Sequence, residues 1–182
     1  MRLGKDLTGK PIISVTDGRL VGYAKDLYTN KDLYWVTGIY TGSEGLIGRK
    51  DKLIQRDNVV VFGIDAILVK NAEVETDNKA VDEVDNWQRL DKLRGRGIDT
   101  PGGTKVGTIG DIIVGEEGEV TGFSLSRVHI EGPVADNGTI PRDAVVDTGR
   151  VDGVMTIDLQ KVENFHMVKE EPNETEEENG DE

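Results

Sequence analysis

The chain repeats itself, and that repeat constrains its fold more than any other feature. Gly9-Lys10-Pro11, Asp17-Gly18 and Val21-Gly22-x-x-Lys25-Asp26-Leu27 return as Gly95-Arg96-Gly97, Pro101-Gly102-Gly103 and Val106-Gly107-x-x-Gly110-Asp111-Ile112. Val36-Thr37-Gly38-Ile39 returns as Val120-Thr121-Gly122-Phe123, and Ile47-Gly48-Arg49-Lys50 is matched to Ile140-Pro141-Arg142-Asp143, at offsets of about 85 to 93 residues. A unit of that length is a duplicated domain, too long for a solenoid repeat. Within 182 residues it predicts two modules of about 70 residues each. Such modules sit near the lower limit for an independent core, so the two are expected to lean on each other.

Each module reads as short strands between turns. In the first, Pro11 to Val15 precedes Asp17-Gly18, a hairpin signal because glycine accepts the positive φ of a tight turn. Leu20 to Tyr28 follows, long enough to bend, and then the aromatic stretch Leu33 to Tyr40. Gly45 to Gly48, Val59 to Gly63 and Ala66 to Val69 complete six strands with no convincing amphipathic helix, which indicates a small barrel or rolled sheet. In the second, Thr100-Pro101-Gly102-Gly103 is a turn, Thr104 to Val114 and Val120 to Ile130 are long strands around Glu116-Glu117-Gly118, and shorter strands follow through Val154 to Ile157. Trp87 to Leu93 is read as at most one turn of helix.

The predicted organisation is therefore all-β. Residues 1–70 form the first module, 71–86 an acidic solvated linker whose ends pair with neighbouring strands, 87–168 the second module, and 169–182 a disordered acidic tail. The formal net charge of −13 divides almost evenly: the tail carries −7 and residues 1–168 carry −6. A chain with this balance is disfavoured as a nonspecific binder of nucleic acid or anionic membrane, because neutralising phosphates requires an excess of Lys and Arg. With no cysteine there is no disulfide, thiol nucleophile or cysteine-ligated metal. No stretch approaches the roughly 20 apolar residues of a membrane-spanning helix. The start, Met1 to Asp6, lacks a signal-like apolar region, so a cytoplasmic location is expected.

These residues resemble the PRC-barrel family, found in the cytoplasmic part of the photosynthetic reaction centre H subunit and the C-terminal part of the bacterial ribosome maturation factor. Leu7-Thr8-Gly9-Lys10-Pro11-Ile12 with the Val21 to Leu27 motif fits its pattern, as does Leu93-Arg94-Gly95-Arg96-Gly97-Ile98 with the Val106 to Ile112 motif and Ile140-Pro141-Arg142-Asp143-Ala144-Val145. The resemblance covers nearly the whole chain apart from linker and tail, and it implies two tandem small β-barrels. Because the family has no common catalytic constellation, it also implies a non-catalytic interaction or assembly module, whose partner is another protein or a second copy. The maturation-factor relation gives the alternative, an adaptor in RNA processing or ribosome assembly, and the run Arg89, Lys92, Arg94, Arg96 would supply its RNA contacts. A hydrolase or transferase is the least supported class.

No catalytic, cofactor or metal set is assigned. Gly102-Gly103-Thr104-Lys105 fails the Walker pattern, because a strand rather than a helix follows it. Asp147-Thr148-Gly149-Arg150-Val151-Asp152-Gly153 lacks oxygen ligands at two EF-hand positions and is read as a turn. His129 and His166 have no triad-like spacing and are read as structural or surface residues. The candidate partner-binding residues are Tyr34, Trp35 and Tyr40, weighed against an ordinary place for strand aromatics in the core.

Overall fold

The computed structural model describes residues 1–45, 50–150 and 153–170. The first repeat contains α1 (Gly4–Leu7), β1 (Pro11–Ser14), β2 (Leu20–Tyr23), β3 (Asp26–Thr29), β4 (Val36–Glu44), β5 (Lys50–Gln55), β6 (Val59–Phe62) and β7 (Ile67–Val69). After β8 (Glu75–Asp77) and β9 (Gln88–Arg89), the second contains α2 (Leu90–Leu93), β10 (Gly97–Asp99), β11 (Lys105–Val114), β12 (Val120–Val128), α3 (Pro133–Asn137), β13 (Thr139–Pro141), β14 (Val145–Asp147), β15 (Met155–Ile157) and α4 (Leu159–Glu170). The protein is mostly β, as its alternating apolar stretches and glycine turns require.

Strand pairing follows the sequence repeat closely. β1 runs antiparallel to β2 and parallel to β7, with Ile12 opposite both Gly22 and Ile67. β10 likewise runs antiparallel to β11 and parallel to β15, with Ile98 opposite both Gly107 and Met155. Both hairpins shift register at the same place, after Ile12 and after Ile98. Gly38 of β4 faces Gln55, and Gly122 of β12 faces Pro141. A Cβ at Gly122 would strike the Ile140 carbonyl, and one at Gly38 would crowd the Trp87 ring and the Ile54 carbonyl, so both sites favour glycine.

This register corrects one sequence match. Ile54 lies opposite Ile39 and Ile140 opposite Phe123, and each leads through one residue into a single 3₁₀ turn, Arg56–Asn58 or Arg142–Ala144. The counterpart of Ile140-Pro141-Arg142-Asp143 is therefore Ile54-Gln55-Arg56-Asp57. The expected segment at Ile47 and the strand expected over Gly45 to Gly48 fall largely on residues 46–49, outside the described residues.

A single buried cluster joins the repeats. It includes Leu7, Ile12, Leu27, Ile39, Phe62 and Ile67 from the first and Leu90, Ile98, Ile112, Phe123, Ile140 and Met155 from the second. Burial of large aliphatic side chains at about 25 cal/mol per Å² makes this shared core the main stabilising term. The segment read as a solvated linker is ordered: β8 pairs with β5, and Val81, Val84 and Trp87 pack around Tyr28, Tyr40 and Leu53. Val81 and Val84, with the adjacent Trp87, supply an apolar face that the segment's six acids obscure in the sequence.

The second departure is α4, in a stretch read without helix. Asp158 accepts from the Lys161 N–H at 3.2 Å as an N-cap, and Val162 and His166 are buried one turn apart. Phe165, Met167 and Val168 lie exposed on the same helix and blur the apolar stripe. The helix reaches Glu170, within the stretch expected to be tail; residues 171–182 lie outside the described residues.

Candidate functional site at the junction of the repeats

The repeats meet across a local twofold axis. Val36 N–H donates to the Gly118 carbonyl and Val120 N–H to the Tyr34 carbonyl, both at 2.8 Å. Val36 and Val120 are counterparts, as are Tyr34 and Gly118. Between them Trp35 forms an antiparallel bridge with its own counterpart, Glu119. Reciprocal bonds between equivalent residues are the signature of an isologous interface, here formed within one chain.

Two buried carboxylates close the same interface further out. Asp26 accepts from Arg89 Nε at 2.6 Å and from the Asp91 N–H at 3.4 Å, at the start of α2. Its counterpart Asp111 accepts from the Lys5 N–H at 2.9 Å, at the start of α1, and from Arg94 Nη2 at 3.2 Å. The aspartate of each Val-Gly motif therefore satisfies an orphan N–H of the other repeat's short helix. Burial alone would lower the Arg89 pKa, but its bond and charge attraction to Asp26 outweigh that and hold it above the ordinary guanidinium value.

Two motif arginines are reciprocal as well. Arg56 Nε donates to the Glu117 carbonyl at 3.0 Å, and Arg142 Nε donates to the Leu33 and Asp32 carbonyls at 3.1 and 3.0 Å, with Nη2 also bonded to Asp32. Arg142 is buried, and that burial holds it below the ordinary guanidinium value. Its acceptors lie in the turn 30–35, where Leu33 takes φ of 55° and the Asn30 side chain accepts from the Tyr34 and Trp35 N–H groups at 2.8 and 3.0 Å. A left-handed leucine is costly and persists because these bonds over-determine the turn.

That turn presents two of the three expected aromatics. Tyr34 is 45% and Trp35 40% exposed, so neither is core. The Arg142 guanidinium lies 3.7 Å from the Tyr34 ring and that of Arg56 4.7 Å from the Trp35 ring. Such stacking adds about 0.5–1 kcal/mol and fixes the rings in place. Tyr34 borders a cleft of about 660 Å³ that also touches Lys31, Gln88, Arg142 and Thr148, and Trp35 borders a second of about 310 Å³ beside Arg56 and Trp87. Tyr40 is set apart from this pair. It is half-buried against Tyr28 at 6.3 Å and lies beneath Arg89 at 3.7 Å, bracing the strand beside Asp26.

The basic run is neither an exposed RNA stripe nor an ordinary solvated segment. Arg89 and Arg94 pair with Asp26 and Asp111. Arg96 is buried and donates to the Thr148 and Arg150 carbonyls and to Gln88 Oε1, which leaves Lys92 as the exposed member. His129 is exposed at the end of β12, and His166 is buried with its Nε2 2.9 Å from the Thr139 carbonyl. Gly103 turns the β10–β11 hairpin at φ of 84°. Among the described residues there is no group of three or more His, Asp or Glu arranged to hold a metal ion, and no helix is long and apolar enough to cross a membrane.

Sequence reading marked both aspartates as motif positions without finding their role. Their reciprocal partners lie far away in the chain, and the signal was the matching Leu-x-Gly turn that each repeat places after its short helix. Compared with known proteins, the chain matches no family model and no curated sequence.

Proposed function

We propose that this chain is a non-catalytic protein-interaction module, built from two PRC-barrel-like repeats locked across a twofold junction, and that it presents Tyr34 and Trp35 to a protein partner. The observation that carries this reading is the pair itself: two large aromatic side chains exposed at the junction, each backed by an arginine and held on a hydrogen-bonded turn. Rigid aromatic groups bordering clefts supply contact area with little side-chain entropy to lose. The RNA-adaptor alternative loses its main support, because three of its four basic residues bond inward.

Affinity capture from native lysate with the parent chain, Tyr34→Ala and Trp35→Ala tests this, with circular dichroism as the folding control and a nuclease-treated sample alongside. The reading expects a protein partner that survives nuclease and is lost from both folded variants. A partner retained by both, or lost on nuclease treatment, overturns it.

A further inference from the structure

Among the described residues β2 ends its sheet, and the second repeat shows what fits beside it. Among the described residues β2 pairs with β1 alone and is the outermost strand of the order β2-β1-β7-β6. Its counterpart in β11 is flanked on both sides. Gly107 and Thr108 face Ile98 and Gly97 of β10, and they face Val128 and Arg127 of β12 on the other edge. Beside them the His129 N–H donates to the Val106 carbonyl at 2.8 Å. Leu20, Val21, Gly22 and Tyr23 are the counterparts of Lys105, Val106, Gly107 and Thr108. The backbone groups that β11 gives to β12 are therefore turned outward in β2 at Val21 and Tyr23.

The cause of the difference is local. The Lys25 N–H donates to the Tyr40 carbonyl at 2.8 Å, after which the register shifts, Gly42 takes φ of 136°, and β4 turns away to pair Gly42, Ser43 and Glu44 with Lys52, Asp51 and Lys50. Among the described residues the space that residues 125–129 fill in the second repeat is left open: a Cβ on Gly22 would meet nothing within 4 Å, whereas one on Gly107 would strike the Arg127 carbonyl. The edge is also apolar, with Leu20 and Tyr23 each 52% exposed. Unpaired, apolar edges are templates for strand addition.

We propose that β2 docks one extended segment of a partner protein, added antiparallel as residues 125–129 add to β11. The internal precedent, Leu125-Ser126-Arg127-Val128-His129, gives its chemistry: apolar residues interleaved with neutral or basic polar ones. A second copy of the chain is the competing occupant, and the oligomeric state measured below tests it. This edge is separate from Tyr34 and Trp35 and does not depend on them.

The probe is a synthetic peptide of residues 121–131, titrated into the full chain and followed by amide hydrogen exchange and by fluorescence anisotropy of a labelled peptide. The expected result is saturable binding below about 1 mM that slows exchange at Val21 and Tyr23. Tyr23→Pro removes an outward N–H, a change that edge strands tolerate, and should weaken binding by about tenfold or more, as should Leu20→Lys if the proline variant is unfolded. Tyr34→Ala should bind like the parent. Absence of saturation, protection at β11 instead of β2, or parental affinity in the folded edge variant overturns the proposal. A concentration-dependent dimer abolished by Tyr23→Pro also overturns it, by assigning the edge to a second copy.

Discussion

The second repeat holds β11 between β10 and β12 as one strand of ten residues, while the first divides the corresponding stretch into β2 and β3 and distributes them between two sheets. The shared parts and the altered parts separate cleanly. Positions that face the other repeat keep their role: Asp26 and Asp111 each cap the opposite helix, Arg56 and Arg142 each reach the opposite turn, and Val36 and Val120 exchange backbone bonds with counterparts. Positions on the outer edges differ, because β4 and β12 leave the junction along different paths. Once duplicated, a module that completes itself through its twin is constrained at the junction and free at the rim.

The comparison is broken most severely at the buried carboxylates. Asp111→Ala leaves Arg94 and the Lys5 N–H without their buried acceptor, and Asp26→Ala does the same to Arg89; each is expected to lose about 3–5 kcal/mol in urea unfolding. Near-equal losses would support reciprocal roles, and a harmless Asp26→Ala would show that only one carboxylate matters.

Next come the motif arginines, equal in position and unequal in burial. Arg142→Met strands the Asp32 and Leu33 carbonyls under a left-handed turn and should cost about 2–3 kcal/mol, against about 1 kcal/mol or less for the single, more exposed bond of Arg56. Equal melting temperatures for the two variants would remove burial as the explanation.

The matched glycines sharpen the contrast at the rim. Gly107→Val meets backbone and should destabilise by about 1–3 kcal/mol. Gly22→Val enters open space on a strand and should fall within about 0.5 kcal/mol of the parent. Equivalent losses would mean that β2 is covered as β11 is.

Much of the fold was legible from the repeat. Asp17-Gly18, Gly102-Gly103 and Glu116-Glu117-Gly118 mark hairpins, and Val-Thr-Gly marks the strand on which a close carbonyl demands glycine. The junction was not legible, since a carboxylate that caps a helix 106 residues upstream in one case and 65 residues downstream in the other leaves no local pattern. The expected aromatic site was divided by geometry: Tyr34 and Trp35 share a turn, whereas Tyr40, four residues into β4, supports Arg89 from a different cluster. The match of Ile140-Pro141-Arg142 to Ile47-Gly48-Arg49 failed because Ile-Gly-Arg resembles Ile-Pro-Arg more closely than Ile54-Gln55-Arg56 does.

Native-state hydrogen exchange on Asp26→Ala and Asp111→Ala tests the reciprocal junction most directly. Removal of Asp111 should expose the amides of α1, starting at Lys5, and removal of Asp26 should expose those of α2, starting at Asp91, each loss appearing in the repeat that does not carry the substitution. Exchange that accelerates only within the substituted repeat, with the opposite helix fully protected, would contradict a junction in which each half completes the other.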